Sequence, residues 1–230
     1  MELKNKIAIV TGASKGIGLA TAHALLAEGM KVVAWNRSEP EVNHPDFSWI
    51  ACDVSDPEAV QKAFNKTRKQ LTGPIAVLIN NAGMGVQGKL ADMAVEDWQA
   101  MINLNINGVF YCSRLVIPIM QQAGQGHIVN ISSIAGTTGV ENMAGYSATK
   151  HAVRGLSHSL FKEVRNDGIK VTCIYPGSTN THFFDDIPGV DNHKHMMRPQ
   201  DVAEAILHSI KTHPNFHIVD VEMRPLKPKG

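Results

Sequence analysis

The sequence predicts a doubly wound α/β fold, in which a single domain over residues 1–230 holds a seven-stranded parallel sheet with helices on both faces. Seven short apolar runs rich in β-branched residues recur along the chain. They are nearly continuous rather than alternating, as expected of strands that are buried on both faces. Helical segments separate these runs from end to end. No repeat, low-complexity tract or linker-like change of composition divides the chain, which indicates one domain.

The boundaries of the predicted elements follow from these runs. The predicted strands are 6–10, 31–35, 47–52, 75–79, 126–131, 169–175 and 216–221. The predicted helices are 17–28, 56–71, 95–122, 145–167 and 199–211. Two of these helices have clear start signals, the acidic and proline-containing "SDPEAV" and the pair Pro199 and Asp201.

One long segment, residues 178–198, fits neither pattern. It follows a predicted strand, has no clear periodicity and mixes apolar with polar side chains. Long irregular segments in compact domains are usually functional, and ligands of such sheets bind at the carboxyl ends of the strands. We therefore predict a substrate lid at about 178–198.

Composition excludes several classes of function. The net charge of +1, with cations spread along the chain, gives no electrostatic attraction to nucleic acid or to an anionic membrane. No apolar stretch reaches membrane-spanning length, and "MELKNKIAIV" is too short and too charged for a signal peptide. Three widely spaced cysteines, Cys52, Cys112 and Cys173, indicate reduced thiols. The sequence predicts a cytoplasmic protein that binds a small molecule rather than nucleic acid or a membrane.

A glycine cluster, "TGASKGIG" over residues 11–18, joins the first predicted strand to the first helix. Gly12, Gly16 and Gly18 would let the backbone approach a phosphate, and the helix amino terminus would supply N–H groups and positive potential. A plain glycine-rich turn is the alternative. The position in the first βα turn favours nucleotide binding.

The end of the second strand carries the signal for the adenosine half of a dinucleotide. Asn36 and Arg37 stand where an NAD-binding protein usually places a carboxylate against the ribose 2′-hydroxyl. Arg37, together with Lys15 in the glycine cluster, would attract a 2′-phosphate instead. The alternative is that both are solvated loop cations. The pattern favours NADP(H) over NAD(H).

The sequence "YSATK" places Tyr146 four residues before Lys150, on the same face of a helix. A phenol has a pKa of about 10, and a nearby ammonium lowers that pKa toward the range of a useful proton donor. The same spacing also occurs on ordinary amphipathic helices. Alone, the pair does not decide the function.

Seven motifs together resemble the short-chain dehydrogenase/reductase family, over essentially the whole chain. They are "TGASKGIG", "CDVSD", "NNAG", "NLNINGVF", "IVNISSIAG", "YSATK" and "IYPGSTNT", in the family's order and spacing. The resemblance implies a Rossmann fold and hydride transfer between a nicotinamide cofactor and a carbonyl or secondary alcohol. Within the family, the chain lies near the 3-oxoacyl-[acyl-carrier-protein] reductases and the broad-specificity carbonyl reductases.

The resemblance implies four catalytic residues. Tyr146 is the general acid or base, and Lys150 binds the nicotinamide ribose and lowers the pKa of Tyr146. Ser133, rather than its neighbour Ser132, hydrogen-bonds the substrate oxygen, and Asn105 holds a water of the proton relay. Two hydroxyl donors aimed at a carbonyl oxygen suit the negative charge that this oxygen gains.

The resemblance also implies a set of cofactor contacts along the carboxyl edge of the sheet. They are Gly12, Ser14, Lys15, Gly16, Ile17, Gly18, Asn36, Arg37, Asp53, Val54, Asn81, Ala82, Gly83, Tyr146, Lys150, Pro176, Gly177, Thr179 and Thr181.

Several of these residues have structural alternatives. Asn105 would also serve to cap or kink its helix, Ser133 to satisfy backbone groups at a strand end, and Asp53 to cap the following helix. The lid contains His182, His193 and His195, but these lack helical metal-ligand spacing and a clear carboxylate partner. We expect no metal site.

Two departures separate the chain from carrier-protein reductases. The loop "MQQAGQGHIV" has no Lys or Arg to steer an acidic carrier protein, and "IVDVEMRPLKPKG" lacks the glycine pair usual at the end of those enzymes. A free small ketone, aldehyde or 3-oxo ester is the wider expectation. Met84, Val140 and Met143 predict a partly apolar substrate pocket.

Alternatives to that function remain. One is a 3-oxoacyl-[acyl-carrier-protein] reductase of fatty-acid synthesis. Another is a catalytically silent NADPH-binding sensor, since a fold does not fix function. The resemblance further implies a homodimer or homotetramer formed through helices 95–122 and 145–167.

Overall fold

The computed structural model describes residues 1–181 and 193–227 and confirms the predicted architecture. Seven parallel strands form one sheet in the order β3-β2-β1-β4-β5-β6-β7. The strands are β1 Ile7–Thr11, β2 Lys31–Asn36, β3 Phe47–Ala51, β4 Ile75–Asn80, β5 Gly126–Ile131, β6 Ile169–Pro176 and β7 Asp220–Met223. The helices are α1 Gly16–Ala27, α2 Pro57–Gln70, α3 Val95–Ile102, α4 Gly108–Ala123, α5 Ala144–Val164 and α6 Pro199–Lys211.

The strands are apolar throughout because both faces of the sheet are covered. In β1, Ala8 and Val10 point into the layer formed with α1 and α6, whereas Ile7 and Ile9 point into the layer formed with α2, α4 and α5. All five residues of β1 are buried. This two-sided burial explains why the apolar runs are continuous and not alternating.

The strand order reverses between β1 and β4. From β1 the chain moves outward to β2 and β3, then returns to the other side of β1 with β4 and continues outward to β7. The loops that leave β1 and β4 therefore diverge and open a crevice at the carboxyl edge of the sheet. Ligands of doubly wound folds bind at such a switch point.

The predicted helix 95–122 is not one regular helix. Residues Asn103–Asn107 form a π-helical turn between α3 and α4, so that one extra residue is inserted and the side-chain faces shift. Such turns often occur at functional sites. Asn105 lies at the centre of this one.

The predicted strand 216–221 begins later than expected. β7 starts at Asp220, opposite Cys173, because side chains bind the preceding carbonyl groups. Lys170 Nζ donates to the Phe216 carbonyl oxygen at 2.7 Å, and the Thr172 hydroxyl donates to that of Ile218 at 2.7 Å. Residues 182–192 of the predicted lid, including His182, lie outside the described residues.

Candidate active site

A cavity of about 560 Å³ opens at the carboxyl edge of the sheet, over the switch point. The glycine loop, the ends of β2, β3, β4, β5 and β6, and the first turns of α5 line it. Every residue predicted to contact the cofactor lines this cavity except Gly18. Of the predicted catalytic residues, Ser133, Tyr146 and Lys150 line it and Asn105 lies behind its wall.

The glycine loop has the geometry of a phosphate cradle. Gly12 and Gly16 have φ values of +66° and +58°, which glycine adopts without strain. No side-chain hydrogen bond caps α1, and no acidic residue lies in its first turn. Its first N–H groups and the positive end of its dipole thus face the cavity without a protein anion.

Gly18 acts one layer below the cavity. A Cβ atom at this position would overlap the Gly12 carbonyl oxygen and the Asn81 side-chain nitrogen. The absence of a side chain lets α1 pack directly against the loop. The contact of Gly18 with the cofactor stays a prediction, and the structure adds that the residue sets how closely the helix approaches the loop.

Two side chains tie the switch point together. The Thr11 hydroxyl accepts hydrogen bonds from the backbone N–H groups of Asn81 at 2.9 Å and Ala82 at 3.0 Å. In return, Asn81 Nδ2 donates to the carbonyl oxygens of Thr11 at 3.0 Å and Gly12 at 2.9 Å. The end of β4 is thereby fixed to the end of β1.

The end of β2 presents an amide where a carboxylate is common. Asn36 Oδ1 accepts from the Ala13 N–H at 2.6 Å, which binds the glycine loop to β2. Asn36 Nδ2 is buried and has no hydrogen-bond partner among the described residues. Arg37 and Ser38 are both exposed at the rim of the cavity. Ser38 was not predicted from the sequence, although it directly follows Arg37. An unpaired buried donor and a free guanidinium suit a ligand with anionic or hydroxyl oxygens.

Asp53 does not cap the following helix. It accepts from the N–H and hydroxyl of Ser55, at 2.9 and 2.7 Å, whereas Asp56 caps α2 by accepting from the Glu58 N–H. The alternative of a helix cap at Asp53 was therefore wrong. Asp53 stays at the cavity wall beside Val54.

Tyr146, Lys150 and Ser133 come together at the other end of the cavity. Tyr146 and Lys150 lie one turn apart on α5 and are both buried, with 8% and 5% of their surface exposed. A hydrogen bond joins the Ser133 hydroxyl to the Tyr146 phenol. Ser132 instead donates to the Lys150 carbonyl oxygen at 2.9 Å and so anchors α5 to β5.

Burial controls the protonation of this pair. It raises the pKa of Tyr146 to about 12, although the hydrogen bond with Ser133 opposes the rise. Burial lowers the pKa of Lys150 from 10.5 to about 8. Without cofactor, the pKa of Tyr146 is set by burial and by the Ser133 hydrogen bond, and the expected effect of Lys150 on that pKa stays a prediction. The Lys150 ammonium donates to the Ile131 carbonyl oxygen at 2.9 Å and lies 5.6 Å from the Tyr146 ring centroid.

Asn105 holds the loop after β4 to α5. Its Nδ2 donates to the Met84 carbonyl oxygen at 2.8 Å and the Thr149 hydroxyl at 2.9 Å, and its Oδ1 accepts from the Met84 N–H at 2.9 Å. Thr149 in turn donates to the Tyr146 carbonyl oxygen at 2.8 Å. A Cβ atom on Gly83 would lie 3.2 Å from Asn105 Oδ1, which shows how closely the π-helical turn approaches the cavity.

An apolar cluster borders the catalytic end. Met101, Ala135 and Tyr146 form its buried part, and partly buried methionines and a valine pack against it: Met84, Val86, Met93 and Met143. The Gly88 N–H donates to the Asn142 carbonyl oxygen at 2.8 Å, so the loops after β4 and β5 are joined here. The sequence analysis identified Met84, Val140 and Met143. It did not identify Met93, which lies in the loop before α3, or Met101, which lies within α3, because neither belongs to a recognisable motif.

Of the histidines in the predicted lid, His193 and His195 lie within the described residues. Within residues 1–181 and 193–227, no group of three His, Cys, Asp or Glu side chains is placed to hold a metal ion. The His195 N–H donates to His193 Nδ1 at 3.3 Å, within one loop. In the part of the chain that the structure describes, no helix has the length and apolar character needed to cross a bilayer.

Comparison with known proteins identifies the family. The short chain dehydrogenase family matches residues 6–189. The chain belongs to the short-chain dehydrogenase family. It is therefore an NAD(P)-dependent oxidoreductase.

The similar proteins extend over nearly the full chain. An uncharacterized oxidoreductase of Staphylococcus aureus is 34% identical, covering 97% of this chain and 99% of that protein. The ligand-free aldohexose dehydrogenase of Thermoplasma acidophilum is 28% identical with a TM-score of 0.83, covering 99% and 98% of the two chains. A serine dehydrogenase in its closed form with NADP+ is 27% identical with a TM-score of 0.85, covering 97% and 96%.

Proposed function

We propose that this dehydrogenase transfers hydride between NADP(H) and a carbonyl compound or secondary alcohol, with Tyr146 as the general acid or base. The observation that carries the proposal is the hydrogen-bonded pair of Ser133 and Tyr146 beside Lys150, at one end of a cavity whose other end is the glycine loop. When bound, the nicotinamide supplies or accepts the hydride.

The protein's own residues handle the proton and the charge. With a pKa of about 12, Tyr146 stays protonated near neutral pH and can donate its proton to a substrate oxygen that becomes negative. Ser133 presents a second hydroxyl to the same oxygen. Lys150, whose ammonium donates to the Ile131 carbonyl oxygen, lies beside Tyr146 and would hold the ribose of the nicotinamide when the cofactor is bound. Asn105 acts as a positioning residue, because it joins Met84 to Thr149 next to Tyr146.

Removing the Tyr146 hydroxyl tests this assignment. Tyr146→Phe should lower kcat by about 10²- to 10⁴-fold, as for loss of a general acid, and should leave NADPH affinity nearly unchanged. NADPH fluorescence measures binding, and the absorbance of the reduced nicotinamide measures turnover. Tyr111→Phe on α4, outside the cavity lining, is the matched control and should change neither. Full turnover by Tyr146→Phe contradicts the mechanism.

The cofactor preference is also a proposal. Arg37 and Lys15 both line the adenosine end, and Asn36 supplies an unpaired amide donor in place of a repelling carboxylate. The NADP+ complex of the structurally similar serine dehydrogenase supports the same preference. We expect Arg37→Asp to reduce the NADPH/NADH ratio of kcat/KM by about 10- to 100-fold, since it loses a charge-assisted bond and adds repulsion.

The control for Arg37→Asp is Lys66→Asp, the same change of charge on the exposed face of α2 and outside the cavity lining. It should leave the NADPH/NADH ratio within about twofold, because screening weakens distant surface charges. A ratio that Arg37→Asp does not move would show that Arg37 does not bind the phosphate.

We further propose a cytoplasmic homodimer or homotetramer. Cys52, Cys112 and Cys173 are buried free thiols, and burial raises the pKa of each, as suits a reducing compartment. On α4, part of the predicted helix 95–122 through which the family resemblance implies assembly, Phe110 is 49% exposed with Arg114 over its ring. Light scattering on the purified protein measures the mass directly, and a monomer would refute the assembly.

A further inference from the structure

We propose that the substrate is a neutral carbonyl compound with an apolar group on its carbonyl carbon, and that the site selects against carboxylates and phosphates. This inference rests on the proposed function and names the substrate class of the same site.

Three of the four described charged side chains that line the cavity lie at the end away from Ser133 and Tyr146. Of the charged side chains lining it, Lys15, Arg37 and Asp53 lie at the glycine loop and at the ends of β2 and β3. The fourth, Lys150, donates to the Ile131 carbonyl oxygen. Within the described residues, no other charged side chain lines the cavity.

The wall beside Ser133 and Tyr146 is apolar instead. Val140 and Met143 line the cavity there, and Met143 belongs to the cluster that packs around Tyr146. Thioether side chains are flexible and polarizable, so they fit apolar groups of varied shape. A wall of this kind gains free energy from each methylene that it removes from water.

The residues that follow do not supply the missing cation. The segment 182–192, "HFFDDIPGVDN", contains three aspartates and neither Lys nor Arg. The next two cations, Lys194 and Arg198, do not line the cavity, and Arg198 Nη2 pairs with Asp201 at 2.6 Å. Among the described residues, a carboxylate bound at this end would lose its hydration and meet one cation, Lys150, whose ammonium already donates to the Ile131 carbonyl oxygen.

Matched substrates test the inference at pH 8, where free histidines are mostly neutral. The first pair is acetoacetate and its ethyl ester, which share the reacting carbonyl and differ in charge. We expect kcat/KM to favour the ester by at least about 100-fold, the size of effect expected for an unpaired desolvated charge. Straight-chain methyl ketones of four to eight carbons should gain about two- to fourfold in kcat/KM per methylene.

A new cation should reverse the discrimination. Val140→Arg places a guanidinium at the apolar wall and should reduce the ester-to-acid ratio by about tenfold or more. Glu141→Arg is the control, since Glu141 is exposed and outside the lining although its substitution changes the net charge by more. If both variants shift the ratio equally, the cause is the general field of the protein and the local wall is refuted.

The remaining outcomes separate the two proposals. Turnover that favours acetoacetate, or a 3-oxoacyl carrier protein over its free thioester, overturns the neutral substrate class and leaves hydride transfer intact. A preference for an amino ketone over the alkyl ketone of equal length also overturns it. Absence of turnover with every carbonyl, despite NADPH binding, overturns the proposed function and this inference together.

Discussion

Replacing Lys150 by methionine should stabilise the protein without cofactor while abolishing its activity. Lys150 is 5% exposed, and burial lowers its pKa from 10.5 to about 8. A lowered lysine pKa means that the charged form is disfavoured in the folded state. Methionine has a similar length, carries no charge and removes this cost.

The expected gain follows from that pKa difference. A shift from 10.5 to about 8 corresponds to roughly 3 kcal/mol of folding free energy near neutral pH. This gain is partly offset because the Ile131 carbonyl oxygen loses its hydrogen-bond donor, which costs about 1–2 kcal/mol of folding free energy. The net prediction is a free energy of unfolding higher by about 1–2 kcal/mol, or a Tm higher by about 2–8 °C for a chain of this size.

The sign of the pH dependence gives a second measurement. Between pH 8 and 10.5 the unfolded chain keeps the Lys150 proton and the folded protein releases it, so the wild-type protein gains stability as the pH rises. The methionine variant lacks this gain. Its advantage should therefore shrink as the pH rises above 8, vanish near the middle of that interval and become a deficit of about 1–2 kcal/mol near its upper end.

Urea unfolding of the cofactor-free protein, at one protein concentration and several pH values, measures both effects. Lys162→Met makes the same substitution at an exposed position of the same helix and should change stability by no more than about 0.5 kcal/mol. A methionine variant less stable than wild type by over about 1 kcal/mol at pH 7 refutes the reasoning. So does an advantage that stays constant from pH 8 to 10.5.

Two further substitutions test the supports of the cavity. Gly18→Ala should weaken NADPH binding and lower the free energy of unfolding by about 1–3 kcal/mol, because its Cβ overlaps the Gly12 carbonyl oxygen. The control is Gly155→Ala, which has open space around it in α5 and should be neutral or stabilising. Equal effects of the two substitutions in urea unfolding would refute the packing argument. Asn105→Ala removes the partner of the Met84 N–H and carbonyl groups and the donor to the Thr149 hydroxyl, which keeps its bond to the Tyr146 carbonyl oxygen. It should cost about 2–4 kcal/mol, with a larger fall in kcat than in NADPH affinity. Unchanged kcat for Asn105→Ala would show that the residue does not position Tyr146.

The sequence predicted the sheet well because burial on both faces leaves a strong signal. The run "IAIVT" of β1 and the run "IAVLIN" of β4 are apolar for the reason that the structure shows, with helices on each side. The last strand was misplaced by the same signal. "FHIV" before Asp220 is apolar, but Lys170 and Thr172 bind its carbonyl groups through side chains that no periodicity records.

In the site, the sequence predicted the residues of local motifs but not the features that depend on contacts between distant parts of the chain. Residues that project from the loops into the cavity, such as Ser133, Tyr146 and Arg37, belong to local motifs and were found. The π-helical turn at Asn105 depends on one inserted residue, and its bonds to Met84 and Thr149 connect distant parts of the chain. The protonation of Tyr146 and Lys150 depends on burial, which a spacing of four residues does not reveal.

The hydrogen bonds between Thr11 and Asn81 limit how far the cleft can change shape when a ligand binds. These bonds join the half-sheet that carries the nucleotide cradle to the half-sheet that carries the catalytic side chains. The floor of the cleft therefore cannot widen without breaking several hydrogen bonds together, and the distance between its two ends is set before any ligand arrives. Because the cleft is preorganised, little of the binding free energy is lost to ordering it when a ligand binds. Any adjustment to ligands of different size then falls to the loops above the sheet.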